Sequence, residues 1–157
     1  MTTRTQIIAQ PDRQEIIITR TFDAPVELVF KTWTDPKSIQ LWWGPAYLST
    51  SVGRMEVRNG GKWRIVQRDS QGNEHAFHGV YHAVDAPHRI VSTFEYEGTP
   101  GHVSLDTFTF EAQGGKTRYT GQSVFQSVAD RDGMLRAGCE SGMMETMDRM
   151  AELLKRM

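Results

Sequence analysis

The chain has 157 residues, a single cysteine and a net charge of −1, with 24% charged and 10% aromatic residues. That length suits one domain with a sizeable core, and the balanced charge argues against a disordered chain and against a nucleic-acid binder working through a basic patch. One cysteine excludes an intramolecular disulfide, and neither a signal peptide in MTTRTQIIAQPDRQ nor an apolar run of membrane-spanning length is present, so a cytoplasmic protein acting away from membranes is expected.

Residues 1–13 are polar around Pro11 and read as a loose arm or a short edge segment. EIIITRTF, Glu15 to Phe22, is β-branched and aromatic and predicts a first strand. Asp23-Ala24-Pro25 breaks it, with Pro25 suited to a helix start and Asp23 available as a cap. Val26, Val29, Phe30 and Trp33 recur at helical spacing. Thr34-Asp35-Pro36 then stops one helix and opens another carrying Ile39, Trp42 and Trp43, which Gly44-Pro45 ends.

From Tyr47 the pattern changes to strands, near 48–57, 62–69, 76–85, 89–97, 102–112 and 117–126. Short turn signals separate them: Asn59-Gly60-Gly61, Ser70-Gln71-Gly72-Asn73, Ala86-Pro87, Gly98-Thr99-Pro100-Gly101 and Gln113-Gly114-Gly115. Such connections favour antiparallel pairing of neighbours in sequence. Alternation puts Trp63 with Ile65, Phe77 with Tyr81, Phe94 with Tyr96, Phe108 with Phe110, and Tyr119 with Phe125. Gly79, Ser92, Ser104, Asp106, Gly121 and Ser123 share those faces, so large rings alternate with small or polar positions. A wall built only for stability rarely collects so many of them.

The last thirty residues predict a long amphipathic helix from Ser127 to Met157. Ser127 and Asp130 form S-x-x-D, a short-acid variant of the capping box. Leu135, Cys139, Met143, Met147, Met150, Leu153, Leu154 and Met157 fall on one apolar arc, with Glu145/Arg149 and Glu152/Arg156 as i,i+4 pairs on the other side. Gly133, Gly138 and Gly142 mark either a kink or close approach, or else an irregular first half. The expected architecture is α+β: seven antiparallel strands curved around the C-terminal helix, with two short helices after the first strand.

Several segments resemble a known family. Arg20-Thr21-Phe22-Asp23-Ala24-Pro25, then Val29-Phe30, Trp33-Thr34-Asp35-Pro36 and Trp42-Trp43-Gly44-Pro45, resemble the stand-alone bacterial branch related to the activator of the heat-shock protein 90 ATPase. That branch lies within the START-like, birch-pollen-allergen-like helix-grip superfamily, also called SRPBCC. Val57-Arg58-Asn59-Gly60-Gly61 is similar to its D-L-R-P-G-G turn, with Glu56 and Asn59 at the acid and proline positions. Gly142 to Arg149 is similar to its final helix. The resemblance runs from about residue 15 to the end and implies the helix-grip fold over a single domain, 1–157. Members use the same cavity to bind hydrophobic small molecules, to turn over polyketides, or as interaction modules. ATPase-activating members carry a further N-terminal domain, for which this chain is expected to have no room.

The candidate ligand-binding residues are Phe77, Tyr81, Phe94, Ser104, Asp106, Phe108, Tyr119, Ser123, Phe125, Met143 and Met147. Met143, Met147 and Met150 are helix core or an adaptable cavity wall, and the two roles are compatible. Asp106, if inward with Ser104 and Ser123, could hold a ligand hydroxyl or act as a base; a one-residue register slip would turn it outward. Arg20 is expected to pair with a carboxylate at the sheet margin, and Trp42 and Trp43 to gate a cavity mouth or simply pack. His78 and His82 share a face but stand too far apart for one ion, so neither metal nor cofactor is expected. Gly114-Gly115-Lys116-Thr117 lacks the first glycine of a phosphate loop and reads as a hairpin turn. Cys139, on the apolar arc, reads as inert.

The leading functional expectation is a protein that binds a small hydrophobic or aromatic ligand without chemistry. A cyclase- or hydrolase-type enzyme using Asp106 or a histidine, and a chaperone-related interaction module, are the alternatives. A homodimer and a chaperone partner are left open; no nucleic-acid partner is expected.

Overall fold

The computed structural model describes residues 4–157; residues 1–3 of the expected arm lie outside the described residues. Strand β1 (Gln6–Ile8) and β2 (Glu15–Phe22) are followed by helices α1 (Val26–Thr34) and α2 (Pro36–Trp42). Then come β3 (Ser49–Met55), β4 (Lys62–Arg68), β5 (Glu74–Asp85), β6 (Arg89–Tyr96), β7 (Val103–Gln113) and β8 (Lys116–Phe125). Helices α3 (Val128–Arg136) and α4 (Cys139–Lys155) end the chain.

Short turns make β3 through β8 pair in succession, and the α1–α2 excursion carries the chain to the far edge of the sheet before that meander begins. The order is β1-β2-β8-β7-β6-β5-β4-β3, antiparallel throughout, with Thr19 of β2 opposite Thr120 of β8. Gly114 and Gly115 form the two-residue β7–β8 turn at φ 56° and 83°, the left-handed pair such a tight hairpin demands. Register shifts between Val52 and Arg54, and between Tyr81 and Ala83, interrupt the ladder as bulges that bend a sheet. The result is a curved, open α+β sheet gripping its C-terminal helix.

Four details add to or differ from the sequence reading. The N-terminal segment takes the second of its two expected forms, a short edge segment, and as β1 brings the strand count to eight where seven were expected, with Ile7 opposite Ile18. The single closing helix is two helices. Ala137 ends α3, and Gly138 takes a left-handed φ of 84°, a conformation that costs a residue with Cβ about 1 kcal/mol. Ser127 does cap α3, accepting from the Asp130 N–H at 3.0 Å, but the Asp130 carboxylate lies 3.0 Å from His102 Nδ1 instead of closing a capping box. Asp23 does not cap α1, whose N-cap position is Pro25 and carries no side-chain bond, whereas Asp35 caps α2 by accepting from the Lys37 N–H at 3.1 Å.

Helix α1 packs on β7 and β8, and α2 on β3 and α4. The core joins Val29 and Phe30 of α1, Trp42 of α2, Phe110 and Tyr119 of the sheet, and Met147, Met150, Leu153 and Leu154 of α4. The arc expected on the last helix is thus buried only in its second half; Met157 is exposed and Leu135 half-buried. Arg20 pairs with Asp148 at 2.6 Å, tying β2 to α4.

Candidate functional site

Between the inner face of the sheet and α3–α4 lies a partly open cavity of about 320 Å³. Its floor is Phe94 of β6, Asp106 and Phe108 of β7, and Tyr119, Ser123 and Phe125 of β8, all brought to one side by the two-residue alternation of paired strands. Its roof is Met134 of α3 with Cys139, Gly142, Met143 and Met147 of α4. Trp33 of α1, Trp42 of α2 and the Trp43-Gly44-Pro45 segment close one flank.

Trp33 is the centre of the aromatic wall. Its ring lies 4.6 Å from Phe108, 4.8 Å from Trp42 and 5.2 Å from Tyr119, on which it stacks at 27°. Its indole N–H is buried without a hydrogen-bond partner. Trp42 is held differently: its own N–H donates to the Thr32 carbonyl at 2.8 Å, locking α2 to α1.

Two side chains of α4 latch the Trp42–Ala46 segment in place. Glu145 accepts from the Ala46 N–H at 2.6 Å, and Arg149 donates to the Leu41 carbonyl at 2.8 Å and to the Gly44 carbonyl. Glu145 and Arg149, expected to pair with each other along the helix, therefore brace the cavity flank. Backbone groups that a loop leaves unmatched are stronger claimants than an exposed helical ion pair. Glu152 bonds Lys155 at 3.1 Å instead of the expected Arg156. Gly44 has φ 80°, and a Cβ there would sit 1.7 Å from Gln67 Nε2, so only glycine fits beneath Gln67.

Some small residues do not leave room. A Cβ on Gly121 would lie 2.2 Å from the Tyr119 hydroxyl oxygen, and one on Gly79 would lie 1.9 Å from the Thr93 carbonyl oxygen. These glycines admit neighbouring groups, not a ligand. Gly142 is the opposite case: it lines the cavity, and nothing stands within 4 Å of where its Cβ would be.

Asp106 faces inward and is 7% exposed. The Ser104 hydroxyl donates to its Oδ1 at 3.1 Å, and Ser123, opposite it on β8, also bonds the carboxylate. Burial pushes its pKa up to about 6, with the two serines pulling the other way. Burial and the nearby Asp106 charge raise Tyr119 well above the ordinary phenol range. Burial likewise pushes the Cys139 thiol up to about 11, the direction opposite to an activated thiolate.

Of the residues expected to share one wall, Phe94, Ser104, Asp106, Phe108, Tyr119, Ser123, Phe125, Met143 and Met147 line this cavity. Phe77 and Tyr81 do not, which corrects their placement. Phe77 packs edge-on against Trp43, whose centroid is 5.3 Å away and which itself lines the cavity; it stacks on Phe94 at 5.4 Å. Tyr81, beside the β5 bulge, borders with Trp63 and Ile90 an adjoining void of about 70 Å³, which shares Trp33, Trp43, Phe94, Asp106 and Phe108 with the cavity. Trp33, Gln67, Ile16, Ile18, Met134 and Thr146 line this cavity without having been expected there. Gln67 was legible, since it shares the Trp63 and Ile65 face; the others read equally well as ordinary packing.

The histidines lie apart from the cavity. His78 stands 3.0 Å from Glu97 and His75 3.0 Å from the Tyr96 hydroxyl. Among the described residues, no group of three or more His, Cys, Asp or Glu is placed to hold a metal ion, and no helix is long and apolar enough to cross a membrane.

Solved structures share the fold over nearly the whole chain. A solution structure of a protein from Arthrobacter aurescens is 24% identical with a TM-score of 0.89, covering 97% of this chain and 92% of its own. Crystal structures of Ms6760 from Mycobacterium smegmatis (26% identical, TM-score 0.86, 96% of both chains) and of a Rhodobacter sphaeroides protein (20% identical, TM-score 0.90, 98% and 99%) are similar to it as well. No curated protein matches the chain. The sequence profile of one family, described as Activator of Hsp90 ATPase homolog 1-like protein, matches residues 23–155. Over that span, with the START-like helix-grip architecture beneath it, the chain belongs to the Activator of Hsp90 ATPase homolog 1-like family.

Proposed function

We propose that the protein binds a small hydrophobic or aromatic molecule, without changing it chemically, in the cavity between the sheet and the C-terminal helices. The observation that carries this reading is the cavity itself. At about 320 Å³ it falls within the range of ligand sites, roughly 300–1,000 Å³, and aromatic rings and thioethers dominate its wall. Family and fold support ligand binding in general. Burial of apolar surface supplies the affinity, and Ser104, Asp106 and Ser123 supply the few polar groups that orient a ligand. Soluble, cytoplasmic action on a diffusible ligand completes the reading.

The enzymatic alternative rests on one observation, a buried carboxyl whose pKa of about 6 suits a general base. It lacks a second acid–base group beside Asp106 in the wall, apart from a tyrosine whose proton burial holds on.

The test is isothermal titration with a neutral arene, ethylnaphthalene, against the wild type and Gly142→Phe. The new ring would occupy open space in the cavity, and phenylalanine is a better helix former than glycine. Saturable binding to the wild type, lost in a folded Gly142→Phe, is expected. Equal binding to both would place the ligand elsewhere; no binding to either would leave the interaction-module reading in its place.

A further inference from the structure

The cavity wall is asymmetric in charge. The Asp106 carboxyl is buried in the wall, yet its partners are neutral hydroxyls, Ser104 and Ser123. Among the described residues lining the cavity, none is Lys, Arg or His. The residues across the strands from it, Ser92 on β6 and Ser123 on β8, are uncharged, and so is the nearby Tyr119, whose proton burial holds on. A carboxylate has about four lone-pair sites, and two hydroxyls cannot fill them. An unpaired negative charge in an apolar chamber is costly to hold. A cationic ligand relieves that cost, and an anionic one adds to it.

The same wall is suited to a cation in a second way. Trp43, half-buried on the cavity flank, is of the aromatic type that best holds a desolvated cation. Charge complementarity therefore narrows the ligand class further than shape does. We propose that the cavity selects molecules carrying a protonated amine on an apolar, aromatic body, with the amine seated on the Asp106 carboxylate. Fatty acids and other carboxylates are rejected by the same group. The inference rests on the cavity being a binding site, as proposed above.

Three probes that differ in one substituent separate the two claims: naphthylmethylamine, ethylnaphthalene and naphthylacetate, each titrated calorimetrically into the wild type and Asp106→Asn at neutral pH. Naphthylmethylamine is expected to bind about tenfold tighter than ethylnaphthalene or better, as a charge-assisted bond requires, with naphthylacetate the weakest. Asp106→Asn, which is nearly isosteric, should erase the amine's advantage over ethylnaphthalene. Ethylnaphthalene binding as tightly as the amine in the wild type overturns amine selection and leaves the apolar site standing. An amine advantage that survives Asp106→Asn overturns the role of this carboxylate. Failure of all three probes overturns both claims. Should the variant not fold, the wild-type ranking of the three probes decides by itself.

Discussion

Met147 and Met150 lie one turn apart on α4, 3% and 0% exposed, and both belong to the core cluster. Only Met147 borders the cavity. Truncating each to alanine removes the same atoms from the same helix, and alanine costs nothing in helix propensity. At Met150 the deletion opens a void where packing was complete, so the lost transfer energy and a cavity penalty add to about 2–5 kcal/mol. At Met147 the deleted atoms already face open space on one side; the change enlarges an existing cavity, and about 1–2 kcal/mol is expected. Urea denaturation followed by tryptophan fluorescence reads the difference. With a slope of about 1–3 kcal/mol/M, the two midpoints should separate by roughly 1 M. Equal losses, or the larger loss at Met147, would show that the wall is filled in solution and refute the cavity.

Asp106 makes stability depend on pH in an uncommon direction. Its folded pKa of about 6 lies above the ordinary 3.8, so the native state holds the proton more tightly, and stability falls as pH rises from about 4 to 6. Above that window the buried charge costs about 3 kcal/mol, so Asp106→Asn should gain on the wild type by up to that amount between pH 4 and 7; parallel pH profiles of the denaturant midpoints would refute this. Two glycines in one region should respond with opposite signs. Gly142→Ala should stabilise by about 0.5–1 kcal/mol in the helix, whereas Gly138→Ala should destabilise by about 1 kcal/mol at its left-handed φ, both read from thermal midpoints. Arg149→Ala should cost about 1–3 kcal/mol through its lost charged hydrogen bonds. It should also speed amide exchange at Trp42 to Ala46; unchanged exchange there would show that the latch does not hold the cavity flank.

Much of the fold was legible because its signals are local. The β-branched run at Glu15 to Phe22, the paired glycines at 114 and 115 and the alternation from Trp63 to Phe125 each specify their conformation within a few residues. The resemblance of Arg20 to Pro25 and Trp42 to Pro45 to known family segments added the topology. What stayed hidden depended on groups far apart in sequence. Glu145 and Arg149 satisfy an i,i+4 rule perfectly well on paper, yet residues a hundred positions earlier offer them unmatched backbone groups.

Alternation alone placed Asp106 with Phe108 and Tyr119 with Phe125 on shared strand faces, because a strand leaves each side chain only two directions; that Asp106 turns inward was left open by the sequence and shown by the fold. Periodicity likewise determined that Met143, Met147 and Met150 share one side of a helix. Neither pattern says which part of a curved sheet lies under which helix. Only the tertiary structure decided that Trp43 lines the cavity while packing on Phe77, that Tyr81 borders an adjoining void and not the cavity itself, and that Trp33 joins the wall from α1. It also decided that Asp106 has hydroxyls beside it and, among the described residues lining the cavity, no Lys, Arg or His. The charge of a site is a sum over strands and helices that meet only when the chain has folded, and no stretch of sequence contains that sum.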